Sequence, residues 1–372
     1  MKFSCMSTEF SQALSNTSRA VASRSSLAAL EGVLLEVLED KLCVVGYNFD
    51  IAITTNVAAR IEEPGRIVLG AKIFTELVRR LPDSMVEVVS TEDSKLKITC
   101  GNIVFDIVGM EAQTYPELPV VETSDTITMN AEKFKAAVLK TIYAASVDET
   151  KLVYTGVLLN FDAGAVSMVA LDGFRMAIVK ESVDSKLSSL VICPSRSLSE
   201  VARLITDLEK EISIDIDRGY VMFRVGAYTV ITKLIEGRFL DYAATIPKEF
   251  TTELVAKTQE LIDSVERTAV VVQNKLKAPI LLEIEDQLIK MSCEGATGAA
   301  SDELPCSTLG APLTISFNSR LLLEALRASN SEEIRFKFSG NLAPSILEST
   351  NTDNGFLFMV LPVRRASGDA EA

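Results

Sequence analysis

Apolar and polar residues alternate along much of this chain with the two-residue period of half-buried strands, and the alternation repeats itself. The run EGVLLEV at residues 31–37 returns as TGVLLNF at 155–161 and as PILLEI at 279–284. Val33, Leu34 and Leu35 therefore correspond to Val157, Leu158 and Leu159, then to Ile280, Leu281 and Leu282. The offsets are nearly constant, about 124 and 123 residues, which marks an internal repeat. Behind each copy lies a second alternating segment with small or polar residues at its middle: LCVVGYNFDIAI, VSMVALDGFRMAI and LIKMSCEGATGAA. That pattern predicts a hairpin.

The period then lengthens. IVLGAKIFTELVRRL from Ile67, LVICPSRSLSEVARLI from Leu190 and LTISFNSRLLLEALRAS from Leu313 each read as a short strand running into an amphipathic helix. Leu198, Val201, Ala202 and Ile205 show the spacing of three and four that lines one helix face. Each unit closes on strands, VEVVS to FDIVG, ISIDI to TKLIEG, and IRFKF to FMVLPV. Each is predicted to open on a helix, over residues 8–22, 130–144 and 252–266. TYPELP at 114–119 and DYAATIP at 241–247 suit linkers. The chain thus reads as three α+β domains, residues 1–123, 124–247 and 248–372, each with two helices and about eight antiparallel strands. Equal units related by a constant rotation either close into a ring or run on as a fibre, and three units leave that choice open.

Composition narrows the functional classes. No apolar run approaches the roughly 18 to 20 residues of a membrane span, and MKFSCMSTEF lacks the layout of a signal peptide. A soluble, cytoplasmic protein is expected. The six cysteines, Cys5, Cys43, Cys100, Cys193, Cys293 and Cys306, form no CxxC pair, and the chain contains no histidine. Reduced, buried thiols are expected, with no metal and no cofactor. The missing histidine also removes the commonest general acid and base near neutral pH. The nearest catalytic candidates are the paired carboxylates Asp215 and Asp217 in SIDID, which alternation places on one strand face, ordinarily a solvated one.

The net charge of −14 argues against nucleic acid only if it is evenly spread. The six predicted helices sum to about +3, with Lys72, Arg79 and Arg80 in one and Lys133, Lys135 and Lys140 in another, leaving about −17 for strands and loops. A basic helical wall with an acidic exterior fits weak, non-specific phosphate contact. No aromatic-rich segment accompanies the helices, so base readout is not expected.

The triple unit, LDGFRMAIVK at 171–180, LIEGRFLDYAATIP at 234–247 and FMVLPVRR at 358–365 together resemble the bacterial sliding clamp family, the beta subunit of DNA polymerase III. The resemblance spans essentially the whole chain. It implies three repeated clamp domains, each with two helices packed on antiparallel sheets, and a head-to-tail homodimer forming a six-domain ring around duplex DNA. It implies no catalysis, only tethering of the replicative polymerase and other replication and repair proteins. Carried over by position, Phe105 and Ile107 of one chain would meet Val270 and Val271 of the other, with Lys72 near Asp302 and Glu303. A partner-peptide pocket shared by the polymerase, the clamp loader and other clamp-binding-motif proteins would comprise Tyr154, Leu171, Gly173, Phe174, Arg175, Met176, Leu240, Thr245, Leu342, Pro344, Met359, Val360, Leu361, Pro362, Val363 and Arg364. DNA would be met by Arg24, Lys72, Lys151 and Arg196, with Arg79, Arg80 and Arg203 as further candidates. Phe174, Leu171 and Leu240 stand where the family often has histidine, threonine and proline, which makes the pocket greasier. The closing RASGDAEA is expected to carry a disordered tail over 366–372. The competing expectation is a three-domain interaction scaffold that never closes.

Overall fold

A computed structural model of the chain describes residues 1–91, 94–122, 125–162, 164–272, 279–351 and 355–364. The expected tail at 366–372 and the first domain boundary at 123/124 lie outside the described residues. The first repeat runs β1 (Lys2–Met6), α1 (Ser7–Thr17), β2 (Gly32–Val37), β3 (Leu42–Tyr47), β4 (Ile51–Val57), β5 (Ala59–Glu63), β6 (Gly65–Gly70), α2 (Ala71–Arg79), β7 (Met85–Ser90), β8 (Lys95–Cys100) and β9 (Ile103–Val108). The second runs β10 (Ile127–Asn130), α3 (Ala131–Ile142), β11 (Gly156–Asp162), β12 (Ala165–Leu171), β13 (Arg175–Ser182), β14 (Ser189–Pro194), α4 (Ser195–Leu204), β15 (Glu211–Ile216), β16 (Tyr220–Val225) and β17 (Tyr228–Lys233). The third runs β18 (Thr252–Lys257), α5 (Thr258–Thr268), β19 (Pro279–Glu285), β20 (Leu288–Gly295), β21 (Gly298–Pro305), β22 (Ser307–Gly310), β23 (Leu313–Asn318), α6 (Ser319–Ser329), β24 (Glu333–Phe338), β25 (Ser345–Ser349) and β26 (Phe356–Val360).

One expectation needs correcting. Each repeat opens on a strand, and the helix follows. In residues 252–257 the side chains alternate between buried and half-buried, the period of a strand, and backbone pairing to β24 holds them extended. Local helix-compatible composition yields there to the partner strand.

Packing divides the chain into two compact units, cutting across the second repeat. One comprises Met1–Phe134, Val183–Ser185 and Arg196–Leu234; the other comprises Lys135–Ser182, Lys186–Ser195 and Ile235–Ala372. The reason lies in the sheets. In the first unit β17 pairs with β4, fusing strands of two repeats into an eight-stranded sheet, β10-β15-β16-β17-β4-β3-β2-β6. In the second unit β13 pairs with β26, giving a nine-stranded sheet, β14-β11-β12-β13-β26-β25-β24-β18-β22. Two smaller sheets remain, β5-β1-β7-β8-β9 in the first unit and β21-β20-β19-β23 in the second.

The repeated strand explains its own sequence. Val33 and Leu35 are buried beside Phe10 and Phe74 of the helices, whereas Leu34 faces a second cluster that includes Tyr115 of the following linker. Leu158 is buried likewise among Phe239, Met176 and Met359. A strand covered on both faces must be apolar at successive positions, as VLL is. In the third repeat the outer position, Leu281, is only half-buried.

Candidate functional site

The cleft is built on a turn. Between β12 and β13, Asp172 Oδ1 accepts the backbone N–H groups of Phe174 at 2.8 Å and Arg175 at 3.0 Å. Gly173 takes a φ of 93°, a left-handed conformation that glycine adopts at little cost. The turn brings Leu171 and Met176 opposite each other. Phe174 O then accepts the backbone N–H of Leu361 at 2.9 Å, which ties the segment after β26 to the turn.

Around this framework lies a cavity of about 240 Å³, lined by Leu171, Gly173, Arg175, Met176, Leu240, Thr245, Pro344, Met359 and Leu361. All belong to the set that the family resemblance implies. Phe174 and Leu342 stand exposed, at 64% and 63%, while Val363 and Arg364 are exposed as well. Tyr154, half-buried, packs edge-on against Phe239 with centroids 5.6 Å apart. Val360 is fully buried, paired in the sheet to Arg175. Pro362 is half-buried.

Arg175 is the cleft's charged wall, and it is buried. Asp172 Oδ2 accepts its Nε–H at 2.9 Å, Glu324 of α6 accepts its Nη1–H, and the guanidinium carbon lies 5.2 Å from the Tyr143 ring centroid. Glu324 Oε1 also accepts Arg320 Nε–H at 2.8 Å. Burial opposes ionisation of Glu324, yet the hydrogen bonds from Arg320 and Arg175 outweigh it and hold its carboxyl below the usual range. Sequence reading missed Asp172, which signals only a turn, and Glu324, because a carboxylate on a helix surface has no local signature of a distant partner.

The cations predicted for DNA fall into two groups. Arg79 and Arg80 both grip Glu76, at 2.6 and 2.7 Å, and Arg203 lies 3.6 Å from Glu200. Arg24, Lys72, Lys151 and Arg196 are exposed, and none makes an ion pair among the described residues. Of the predicted cations these are the ones not held in an ion pair, although the charge of Lys151 also bears on Asp148. Helix charge is uneven, since α5 carries Glu260, Asp263 and Glu266 against Arg267 alone.

Asp215 corrects another expectation. Rather than lying on a solvated face it is wholly buried; its Oδ1 accepts the Thr126 hydroxyl at 2.7 Å, and Arg224 pairs with Oδ2. Asp217 lies beyond β15, in the turn to β16. The two carboxylates form no catalytic pair.

The last feature is a pair of sheet edges. β9 has β8 as its single strand neighbour among the described residues, and β21 has β20. The register lines that reach these edges repeat those reaching the two internal joins. Phe3–Val88–Ile98–Phe105 matches Ile127–Ile214–Phe223–Val230 and Leu254–Phe336–Leu347–Phe358. Likewise Leu282–Met291–Asp302 matches Leu35–Val44–Thr55 and Leu159–Met168–Val179. Val230 and Phe358 are fully buried at their joins, whereas Phe105, like Ile107, is half-buried against the first unit's core. Nearby helical positions are bare: Ile73 of α2 is 71% and Val270 73% exposed, with Val271 half-buried. Ile73 was missed, although it stands out of phase with the buried stripe Ala71, Phe74 and Val78. Asp302 accepts Arg267 Nε–H at 3.0 Å, and Glu303 is exposed.

Sequence profiles of the N-terminal, central and C-terminal domains of the DNA polymerase III beta subunit match residues 1–119, 128–241 and 243–364 in order. The chain belongs to this family. Its relatives include a beta sliding clamp of Synechococcus elongatus, 28% identical over 376 residues, with 99% of this chain and 100% of the relative covered. Another, from Staphylococcus epidermidis, is 26% identical over 375 residues, covering 98% and 99%. The DNA polymerase sliding clamp from Bacillus subtilis superposes with a TM-score of 0.94 at 26% identity, and the beta subunit from the DNA polymerase of Streptococcus pyogenes with 0.93 at 28%; both cover 98% of this chain and 100% of the other. The family is a non-catalytic processivity subunit, with clamp domains of helices on antiparallel sheets. Among the described residues no helix is long and apolar enough to cross a membrane.

Proposed function

We propose that two copies of this chain pair head to tail into a closed ring that encircles duplex DNA in the cytoplasm and tethers the replicative polymerase for processive synthesis. The observation that carries the reading is the repeated register. Two joins within the chain share one strand pairing, Val230 with Ile53 and Phe358 with Ala177, and the equivalent edges β9 and β21 are left to pair between chains. Extending the same register sets Phe105 opposite the partner's Ala300 and Ile103 opposite the partner's Asp302. Unpaired strand edges are templates for such augmentation, and repeated contacts of one geometry close a ring where their rotation returns to its start. Val270, Val271, Ile73 and the uncovered part of Phe105 and Ile107 supply the apolar surface, and Lys72 faces Asp302 and Glu303.

In the ring, Arg24, Lys72, Lys151 and Arg196 meet phosphates, with Arg79, Arg80 and Arg203 adding weaker contacts. The grip is non-specific, so topology holds the protein on DNA while leaving it free to slide. The apolar cleft with exposed Phe174, Leu342 and Val363 at its rim takes short peptides with aliphatic or aromatic anchors, from the polymerase subunit, the clamp loader and other partners. The test is loading onto a nicked circular plasmid with the loader and ATP. Retention in high salt, followed by release after one double-strand cut, is expected; binding that survives linearisation would overturn the ring.

A further inference from the structure

The second helix of each repeat carries a glutamate at the same place: Glu76 in α2, Glu200 in α4 and Glu324 in α6. In α2 that carboxylate meets Arg79 and Arg80 at the end of its own helix; in α4 it lies between Arg203 and Arg19 of the first repeat. Glu324 alone reaches a residue that lines the cleft. One oxygen accepts from Arg320 on its own helix, the other from Arg175, whose guanidinium is already held by Asp172 and laid over Tyr143. Two guanidinium and two carboxylate groups cancel, so the single charged wall of an otherwise apolar cavity is electrically balanced.

We propose that Glu324 is a positioning and specificity-determining residue for the cleft: it pins Arg175 against Tyr143, balances its charge, and thereby sets a preference for neutral over acidic peptides. This rests on the reading of the cleft as a peptide site. A buried guanidinium that keeps both carboxylates has no charge left to offer a ligand, and a glutamate or aspartate entering beside it would be desolvated without gaining a partner. Remove the Glu324 charge and the group of four becomes net positive. Arg175 is then free to turn toward the cavity, where it attracts a peptide carboxylate and obstructs an aliphatic anchor.

The experiment compares two capped, fluorescein-labelled short peptides by anisotropy, one with leucine and phenylalanine anchors and glutamine spacers, the other with one spacer changed to glutamate. In Glu324→Gln the neutral peptide should bind several-fold more weakly, and the ratio of acidic to neutral affinity should rise about tenfold, shrinking as salt is added. Arg320→Gln, a change at an exposed side chain, should move the ratio the other way, because Glu324 is then left wholly to Arg175. Loss of fold in the first variant leaves the second as the deciding measurement. A merely structural role would weaken both peptides alike, so an unchanged ratio in the folded variants overturns the inference while the peptide site stands. Failure of the wild-type protein to bind either peptide overturns both.

Discussion

Val270 offers the sharpest test of the proposed subunit contact, because it is 73% exposed in the single chain and sits in the 3-10 turn that follows α5. Its counterpart in the first repeat is Arg19, which lies 3.5 Å from Glu200 of α4 at the first internal join. The same geometry between chains sets Val270 against Glu76 of the partner's α2. Val270→Asp therefore loses an apolar contact and brings two carboxylates together. The exposed part of a valine side chain is about 100 Å², so full burial contributes about 2.5 kcal/mol at 25 cal/mol per Å². A closed dimer contains the contact twice, giving about 5 kcal/mol and a rise in dissociation constant of more than three decades before any charge repulsion is counted. The monomer should keep its melting temperature, since an exposed substitution of this kind stays within about 0.5 kcal/mol. Sedimentation equilibrium reads the dissociation constant directly. Val270→Arg is the counter-test: it recreates the Arg19–Glu200 pair across the interface and should leave the dimer largely intact. A Val270→Asp protein that dimerises like the wild type would refute the shared register, and equal damage from aspartate and arginine would refute the placement of Glu76.

Other outcomes follow from the same structure. Gly173→Ala forces a side chain into φ 93° and should cost about 1–2 kcal/mol in chemical denaturation, with weaker peptide binding in anisotropy. Replacing Lys151 or Arg196 by alanine should lower the salt dependence of binding to linear DNA by about one counterion each, yet leave retention of loaded protein on circular DNA unchanged. Asp215→Ala removes the partner of the Thr126 hydroxyl and of the half-exposed Arg224, and should destabilise the fold by about 1–3 kcal/mol by urea denaturation, with no phosphodiester turnover to lose. The depressed carboxyl of Glu324 contributes stability that is complete above the ordinary glutamate range and is lost only as pH falls through its lowered folded value; the ratio of acidic to neutral peptide affinity should stay flat from about pH 6 to 8.

Much of this architecture was written locally. The threefold repeat, the hairpins and the strand-to-helix turns each rest on periodicity over a few residues, and burial of VLL on both faces reproduces that pattern. The turn at Gly173 was legible too, whereas the cleft's wall came only from the family resemblance. What the sequence could not decide were pairings between distant segments. Residues 252–257 become a strand because β24 lies beside them, Asp215 is buried because Thr126 and Arg224 satisfy it, and Arg175 meets Glu324 across 149 residues of chain. Local patterns record which face of an element is apolar, and that follows from backbone geometry. Which charge meets which depends on where the folded sheets bring elements together, and only the tertiary structure settles it.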